Sequence, residues 1–229
     1  MTTFGLIHGG FHTSWCWGTL RAELERRSHR VLTVDLPVSD PAADPDAYLD
    51  VVASAFGSAP DPVVVVGHSI AGWTAMRLPD RIPVAGIIYL CSCINLPPGE
   101  YEDEPLPMIS ADPADWTPDD TGLITMTPDA AREYFYHDLD PALADEAISH
   151  LVRQAAIGVA GPTSKPTIPP VPATYIKATD DRAVSDAWAT WAARLLTGRD
   201  ALPIGGSHSP FLSRPRELAD LFEQIVGRY

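Results

Sequence analysis

Lysine is almost missing from this chain of 229 residues: of its 16 basic residues only Lys165 and Lys177 are lysine. Bases are scarce overall. The 30 acids leave a net charge of −14. Such a surface repels phosphate backbones, which argues against a nucleic-acid partner. Cysteine is also sparse, at Cys16, Cys91 and Cys93. An odd count without an export signal does not make a disulfide framework. Cys91 and Cys93, two apart in an apolar strand-like run, would share a face. A metal pair there would need a second pair of soft ligands, and none follows, so the expectation is buried free thiols and no metal. Long apolar runs are absent too. The longest, about Val84 to Leu96, is too short to cross a bilayer and is interrupted by Ser92. The N-terminal residues lack the charged start, apolar stretch and cleavage site of a secretory signal. A soluble, cytoplasmic protein without a membrane partner is therefore expected. Oligomeric state has no signature in the sequence.

What is present is a globular composition, 45% apolar and 20% charged, enough to bury a core. The 23 prolines, many alanines and arginine-for-lysine usage suggest a GC-rich bacterial source. Phe4 to Ile7 predicts a buried strand that enters a His8-Gly9-Gly10 turn. Trp17, Leu20 and Leu24 share a helix face. Val31 to Leu36 predicts a second strand. Tyr48, Leu49, Val52 and Phe56 fit a helix, with Pro45 in its first turn. Val63 to Val66 is β-branched throughout, as suits a strand covered on both faces. Ala71 to Arg77 reads as helix and Val84 to Leu90 as strand. The alternation resumes with a strand at Ala173 to Ala178 and a helix through Trp188, Trp191, Ala192 and Leu195, capped by Ser185. A short strand at Ala201 to Ile204 precedes an amphipathic helix through Leu218, Leu221, Phe222 and Ile225.

Repeated strand–helix units predict an α/β fold, a mainly parallel sheet of about six strands flanked by helices. Residues 1–94 and 171–229 would form that core. Residues 95–170 break the pattern and read as an inserted helical lid, with helices over Ala130 to Tyr136 and Ala142 to Arg153. The insertion is strongly acidic, from Glu100, Glu102, Asp103 and Glu104 through Glu146, with only Arg132, Arg153 and Lys165 against them. The Pro/Gly/Ser-rich stretch 161–172 would lead back to the core.

The segment Gly67-His68-Ser69-Ile70-Ala71-Gly72 carries the most chemistry. A buried strand runs straight into a small-residue turn and then a helix. A serine there is forced into a strained, exposed position above the sheet. The following helix starts with unpaired N–H groups that can hold negative charge. Ser69 is thus the candidate nucleophile and the Ile70 N–H a candidate oxyanion donor. Ala71 stands where the usual pattern has glycine. The turn His8-Gly9-Gly10 lets backbone approach the neighbouring turn, which makes the Gly10 N–H the second candidate donor. His8, His12 and His68 are read as structural.

His208, in Gly205-Gly206-Ser207-His208-Ser209-Pro210, follows the last predicted strand and is the candidate base. The acid should follow the preceding strand, where Thr179-Asp180-Asp181-Arg182 lies. Asp181 is preferred over Asp180 to orient the imidazole and stabilise its cation.

These residues, with Leu6-Ile7-His8-Gly9-Gly10-Phe11-His12-Thr13-Ser14-Trp15-Cys16-Trp17, resemble the plant methylesterase and hydroxynitrile lyase family of α/β-hydrolases. The likeness runs through both sheet-forming parts and only loosely through the lid. It implies the α/β-hydrolase fold and a triad acid at the second Asp of the turn, Asp181. Lyase members carry threonine after the first histidine and lysine after the catalytic one. Gly9 and Ser209 stand here instead, so the resemblance favours the esterase branch.

The expected function is cleavage of a small carboxylic ester by a serine hydrolase through an acyl-enzyme, without a cofactor. The same fold and triad also serve lyase, cyclase, C–C cleaving or cofactor-free oxygenase reactions on natural-product intermediates, and a non-catalytic ligand-binding protein is a third reading. An acidic, apolar-lined lid would favour a neutral or weakly cationic substrate. Phe11, Trp15, Trp116 and Tyr136 are candidate substrate contacts, with Tyr134 and Met126 as further aromatic and sulfur neighbours. His137 is expected on the lid surface.

Overall fold

The computed structural model describes residues 1–94, 107–156 and 167–229. Glu100, Glu102, Asp103, Glu104 and Lys165 of the acidic stretch, and the start of 161–172, lie outside the described residues.

Six parallel strands form the main sheet. They are β1 (Thr3–Ile7), β2 (Arg30–Val34), β3 (Val63–His68), β4 (Val84–Leu90), β7 (Ala173–Ala178) and β8 (Leu202–Ile204), in the order β2-β1-β3-β4-β7-β8. This is the parallel α/β sheet of about six strands that the strand–helix alternation predicts. Successive β3 residues point to opposite faces, so its all-valine run feeds two cores. Val64 and Val66 pack with Phe4, Leu6, Ile88 and Leu90 under α1 (Gly18–Arg26) and α8 (Pro215–Val226), where Leu20, Leu24 and Phe222 are buried. Val63 and Val65 pack with Ile7, Ile87 and Tyr89 on the other face, against α2 (Pro45–Phe56), α3 (Gly72–Arg77) and α6 (Asp186–Thr197). Each such valine contributes about 1.5 kcal/mol or more.

Much of the proline has a use. Helices α2, α4 (Pro128–Phe135), α5 (Pro141–Ser149), α7 (Pro210–Ser213) and α8 all open on proline. Its fixed φ suits the first turn, and its missing N–H would be unpaired there in any case. Asp44, Thr127 and Asp140 precede three of these prolines and cap the N–H groups of Ala47, Ala130 and Ala142. Ser185 caps α6 through Trp188, as its position in the sequence suggests.

Between β4 and β7 the chain leaves the sheet. There α4 and α5 are bracketed by a small antiparallel pair, β5 (Leu123–Ile124) with β6 (Gln154–Ala155). The helix expected through Arg153 ends at Ser149. The chain turns there because Val152 N–H bonds to the Phe11 carbonyl and Ala155 N–H to the Val38 carbonyl, contacts that an extended strand offers and a helix does not.

Candidate active site

All six strands of the main sheet run the same way, so their C-terminal ends share one rim, where open α/β sheets gather ligands. Ser69 follows β3, Asp181 follows β7, His208 follows β8, and Gly10 follows β1. Ser69 has φ +53°, a left-handed conformation that a serine adopts only when its surroundings hold it there. Those surroundings explain the local sequence. A Cβ on Gly67 would lie 2.7 Å from both the Ala71 carbonyl oxygen and Ala75 Cβ. A Cβ on Gly72 would meet Ser92 Cβ at 2.9 Å. The tight approaches fall on Gly67 and Gly72, which leaves room for the methyl of Ala71. Cys93 N–H donates to the Ser69 carbonyl at 3.0 Å and steadies the turn.

Asp181, not Asp180, meets the imidazole. His208 Nδ1 lies 2.8 Å from Asp181 Oδ2, and both side chains are buried. The other oxygen, Oδ1, accepts from the N–H groups of Ala183 and Val184, each at 2.9 Å. An ionised carboxylate so held calls for a proton on Nδ1, which leaves the Nε2 lone pair of a neutral His208 to accept. Asp180 turns outward, toward Arg182 and His137.

Ser69 and His208 line one cavity with Gly10, Phe11, Ile70, Cys93, Ile109, Trp116, Phe135 and Val184. Its volume is about 30 Å³, room for a water or two. No direct Ser69–His208 hydrogen bond is formed among the described residues. Instead Ser69 Oγ faces Cys93 Sγ at 3.9 Å. Such a bond between nucleophile and base often tightens only when substrate binds. Among the described residues no protein acceptor takes up the N–H of Gly10 or Ile70.

Of the four candidate substrate contacts, Phe11 and Trp116 line this cavity. Trp15 and Tyr136 are corrections. The Trp15 ring stacks on His150 at 4.1 Å beside an outer groove, because α5 passes there. Tyr136 is buried, with its hydroxyl 2.8 Å from His12 Nε2. Tyr134 binds Asp115 and the Asp112 N–H, and Met126 is core. His137 is also corrected. It is tucked inward, and its Nε2 donates to the Asp180 carbonyl at 2.9 Å.

The remaining histidines are structural by their bonds. His8 Nδ1 donates to the Gly9 carbonyl and its Nε2 accepts from Leu36 N–H. His68 Nε2 donates to the His208 carbonyl at 3.0 Å. Burial holds all three of His8, His12 and His68 below the usual histidine range, His12 at about 3. Cys91 Sγ, Asp181 and His208 place ligand atoms within 4.8 Å of one another. Burial, and then the Asp181 charge, push the Cys91 thiol well up, and His208 Nδ1 is already bonded to Asp181. With His208 Nδ1 and both Asp181 oxygens already engaged, these groups form a hydrogen-bonded cluster. Cys93 is raised to about 12, chiefly by burial.

Sequence reasoning missed Gln154 and Ser207, buried polar residues that join the segment between β4 and β7 to these loops. Their neighbours, Arg153 and Ala155 for one and Gly206 and His208 for the other, give no signal that marks either of them in the sequence.

The alpha/beta hydrolase family model matches residues 6–221. Methylesterase 7 of Arabidopsis thaliana is 27% identical over 252 residues, covering 99% of this chain and 96% of its own length. The crystal structure of the methylesterase MES16 from Arabidopsis superposes with TM-score 0.76 at 22% identity, over 100% of both chains. A pyrethroid hydrolase from Sphingobium faniae JZ-2 gives TM-score 0.72 at 24% identity, over 100% of this chain and 99% of its own.

Proposed function

This chain belongs to the alpha/beta hydrolase family, and from that premise we propose that it is a serine esterase that cleaves a small carboxylic ester. Ser69 Oγ attacks the ester carbonyl carbon while His208 Nε2 takes its proton. The carbonyl oxygen becomes an oxyanion between the N–H groups of Gly10 and Ile70. Asp181 holds the imidazole and stabilises its cation. When the tetrahedral species collapses, the C–O bond breaks and His208 returns the proton to the departing alcohol. Water, deprotonated by His208, then releases the acid from acyl-Ser69 by the same steps in reverse.

The observation that carries this reading is the 2.8 Å His208–Asp181 pair opening on the cavity that Ser69 lines at φ +53°. The relatives named as methylesterases support ester hydrolysis. Gly9 supports the esterase branch over the lyase branch, because a side chain there would lie 2.8 Å from both His68 Nδ1 and Ser69 Cβ. The threonine of the lyase branch has no space.

We assign residues 107–156 of the 95–170 insertion to a lid over the rim. Apolar side chains dominate the cavity wall, which favours a neutral acyl group or alcohol. The Trp116 indole N–H is buried without a partner among the described residues and is available to a polar group of the substrate. An ester needs more room than a water or two, so binding moves part of this wall. Trp116 sits at the end of the short 3₁₀ turn Pro113–Trp116.

Assay against p-nitrophenyl and methyl esters, with fluorophosphonate labelling, tests the reading. Cleavage with label on Ser69 is expected. A folded protein that cleaves none and takes no label contradicts it. Activity that survives Ser69→Ala but is lost in His208→Ala points to another reaction on the same triad.

A further inference from the structure

The loop that carries the Gly10 N–H is strained and is held from outside the sheet. Phe11, next in the chain, has φ +63°. A bulky residue keeps a left-handed conformation only where its neighbours over-determine it. The bonds that do so are few. His12 Nδ1 donates to the Gly10 carbonyl at 2.7 Å, and Tyr136 lies on the far side of that ring. Val152 N–H donates to the Phe11 carbonyl at 2.8 Å. Gln154 Oε1 accepts the Phe11 N–H at 3.4 Å.

Gln154 is the member of this set with no freedom left. It is fully buried. Its Nε2 donates to Tyr48 Oη at 3.2 Å and to the Ala155 carbonyl at 2.9 Å, which turns Oε1 toward the loop. A Cβ on Gly10 would lie 3.2 Å from that oxygen, so Gln154 also defines how closely residue 10 can approach. The peptide joining residues 10 and 11 is thus held at its carbonyl by His12 and at its N–H by Gln154.

We propose that Gln154 is a positioning residue for the oxyanion hole: by fixing the Gly10–Phe11 peptide it aims the Gly10 N–H at the developing negative charge. This rests on the esterase reading above. Gln154 touches neither substrate nor nucleophile and acts through the loop alone. Its influence should fall on the tetrahedral state and not on substrate binding, because only in that state does the carbonyl oxygen carry full charge.

Gln154→Met in the full chain removes the acceptor at similar volume. With p-nitrophenyl acetate, kcat should fall about tenfold while KM stays within about twofold. The affinity for an aryl trifluoromethyl ketone, which adds to Ser69 as a hemiketal oxyanion, should fall in step with kcat. Gln154→Glu is a second variant should the first fail to fold. It keeps the acceptor but sets an ionisable carboxyl beside the loop, facing the Ala155 carbonyl and, as the titratable group bonded to residue 154, the Tyr48 hydroxyl. Its kcat should drop as that carboxyl ionises, a limb missing from the parent profile. A folded Gln154→Met with unchanged kcat and ketone affinity overturns the proposal, as does a loss confined to KM or a Gln154→Glu profile like the parent's. A parent protein that does not label at Ser69 overturns the esterase reading itself, and this proposal with it.

Discussion

The groups that would do chemistry sit on the sheet, while several groups that hold them sit on the segment between β4 and β7. On the sheet rim, each candidate follows directly from its strand: Ser69 from β3, Asp181 from β7, His208 from β8. On the segment, three consecutive residues at the end of α4 each reach a different loop. The Phe135 carbonyl accepts from Ser207 Oγ at 2.8 Å beside the base, the Tyr136 hydroxyl meets His12 beside the oxyanion donor, and His137 donates to the Asp180 carbonyl beside the acid. The sheet therefore sets where the loops begin, and the segment sets how they end up aimed. A lid that only covered the rim would make contacts with substrate, not hydrogen bonds with all three loops.

The largest break in this comparison comes from the sheet side. Ser69→Ala should lower turnover by about 10⁴-fold or more, read as initial rate on a p-nitrophenyl ester, with the melting temperature nearly unchanged. Asp181→Asn should cost about 10³- to 10⁴-fold in kcat with little change in KM, because an amide can leave the imidazole in the wrong tautomer. A loss seen only in KM would argue against an orienting role for Asp181.

The segment side should give smaller effects, spread over stability and rate together. Ser207→Ala removes the donor to the Phe135 carbonyl and should cost about 1–3 kcal/mol in urea unfolding. It should lower kcat only severalfold. An unchanged unfolding midpoint would mean that the joint between α4 and the base loop carries no load.

Acid offers a test that needs no substitution. His8, His12 and His68 are held below the ordinary value of 6.5 by burial, His12 at about 3. Below pH 6.5 the unfolded chain binds protons that the folded chain refuses. Stability should therefore decline as pH falls below about 6.5, by up to about 1.4 kcal/mol per pH unit through His12 until about pH 3, with His8 and His68 acting in the same direction. Urea midpoints at pH 7 and pH 5 measure it. His12→Gln should shrink the difference, and equal midpoints in the parent would contradict the buried, neutral assignment.

The same contrast explains what could be read from the chain. Val63 to His68 announces a doubly covered strand, and Gly67 and Ser69 announce the turn, because short-range sterics fix both. The preference for Asp181 over Asp180 rests on the position after one strand together with the family resemblance. The segment was harder. The helix end at Ser149 depends on Val152 finding the Phe11 carbonyl, a partner far back in the chain. Gln154 reaches Phe11 and Tyr48, and Tyr136 reaches His12, each more than a hundred residues away, so no periodicity or motif marks them. Trp15, an aromatic that the sequence leaves free to face either a substrate or a neighbouring element, stacks on His150 at the end of α5.

The most direct measurement is to react the purified protein with a fluorophosphonate and map the adduct by peptide mass spectrometry, alongside turnover of a p-nitrophenyl ester. We expect one adduct, on Ser69, with activity lost in proportion to labelling. Full activity with Ser69 unmodified, or an adduct on another serine that tracks the loss, would contradict the assignment of the turn after β3 as the reacting centre.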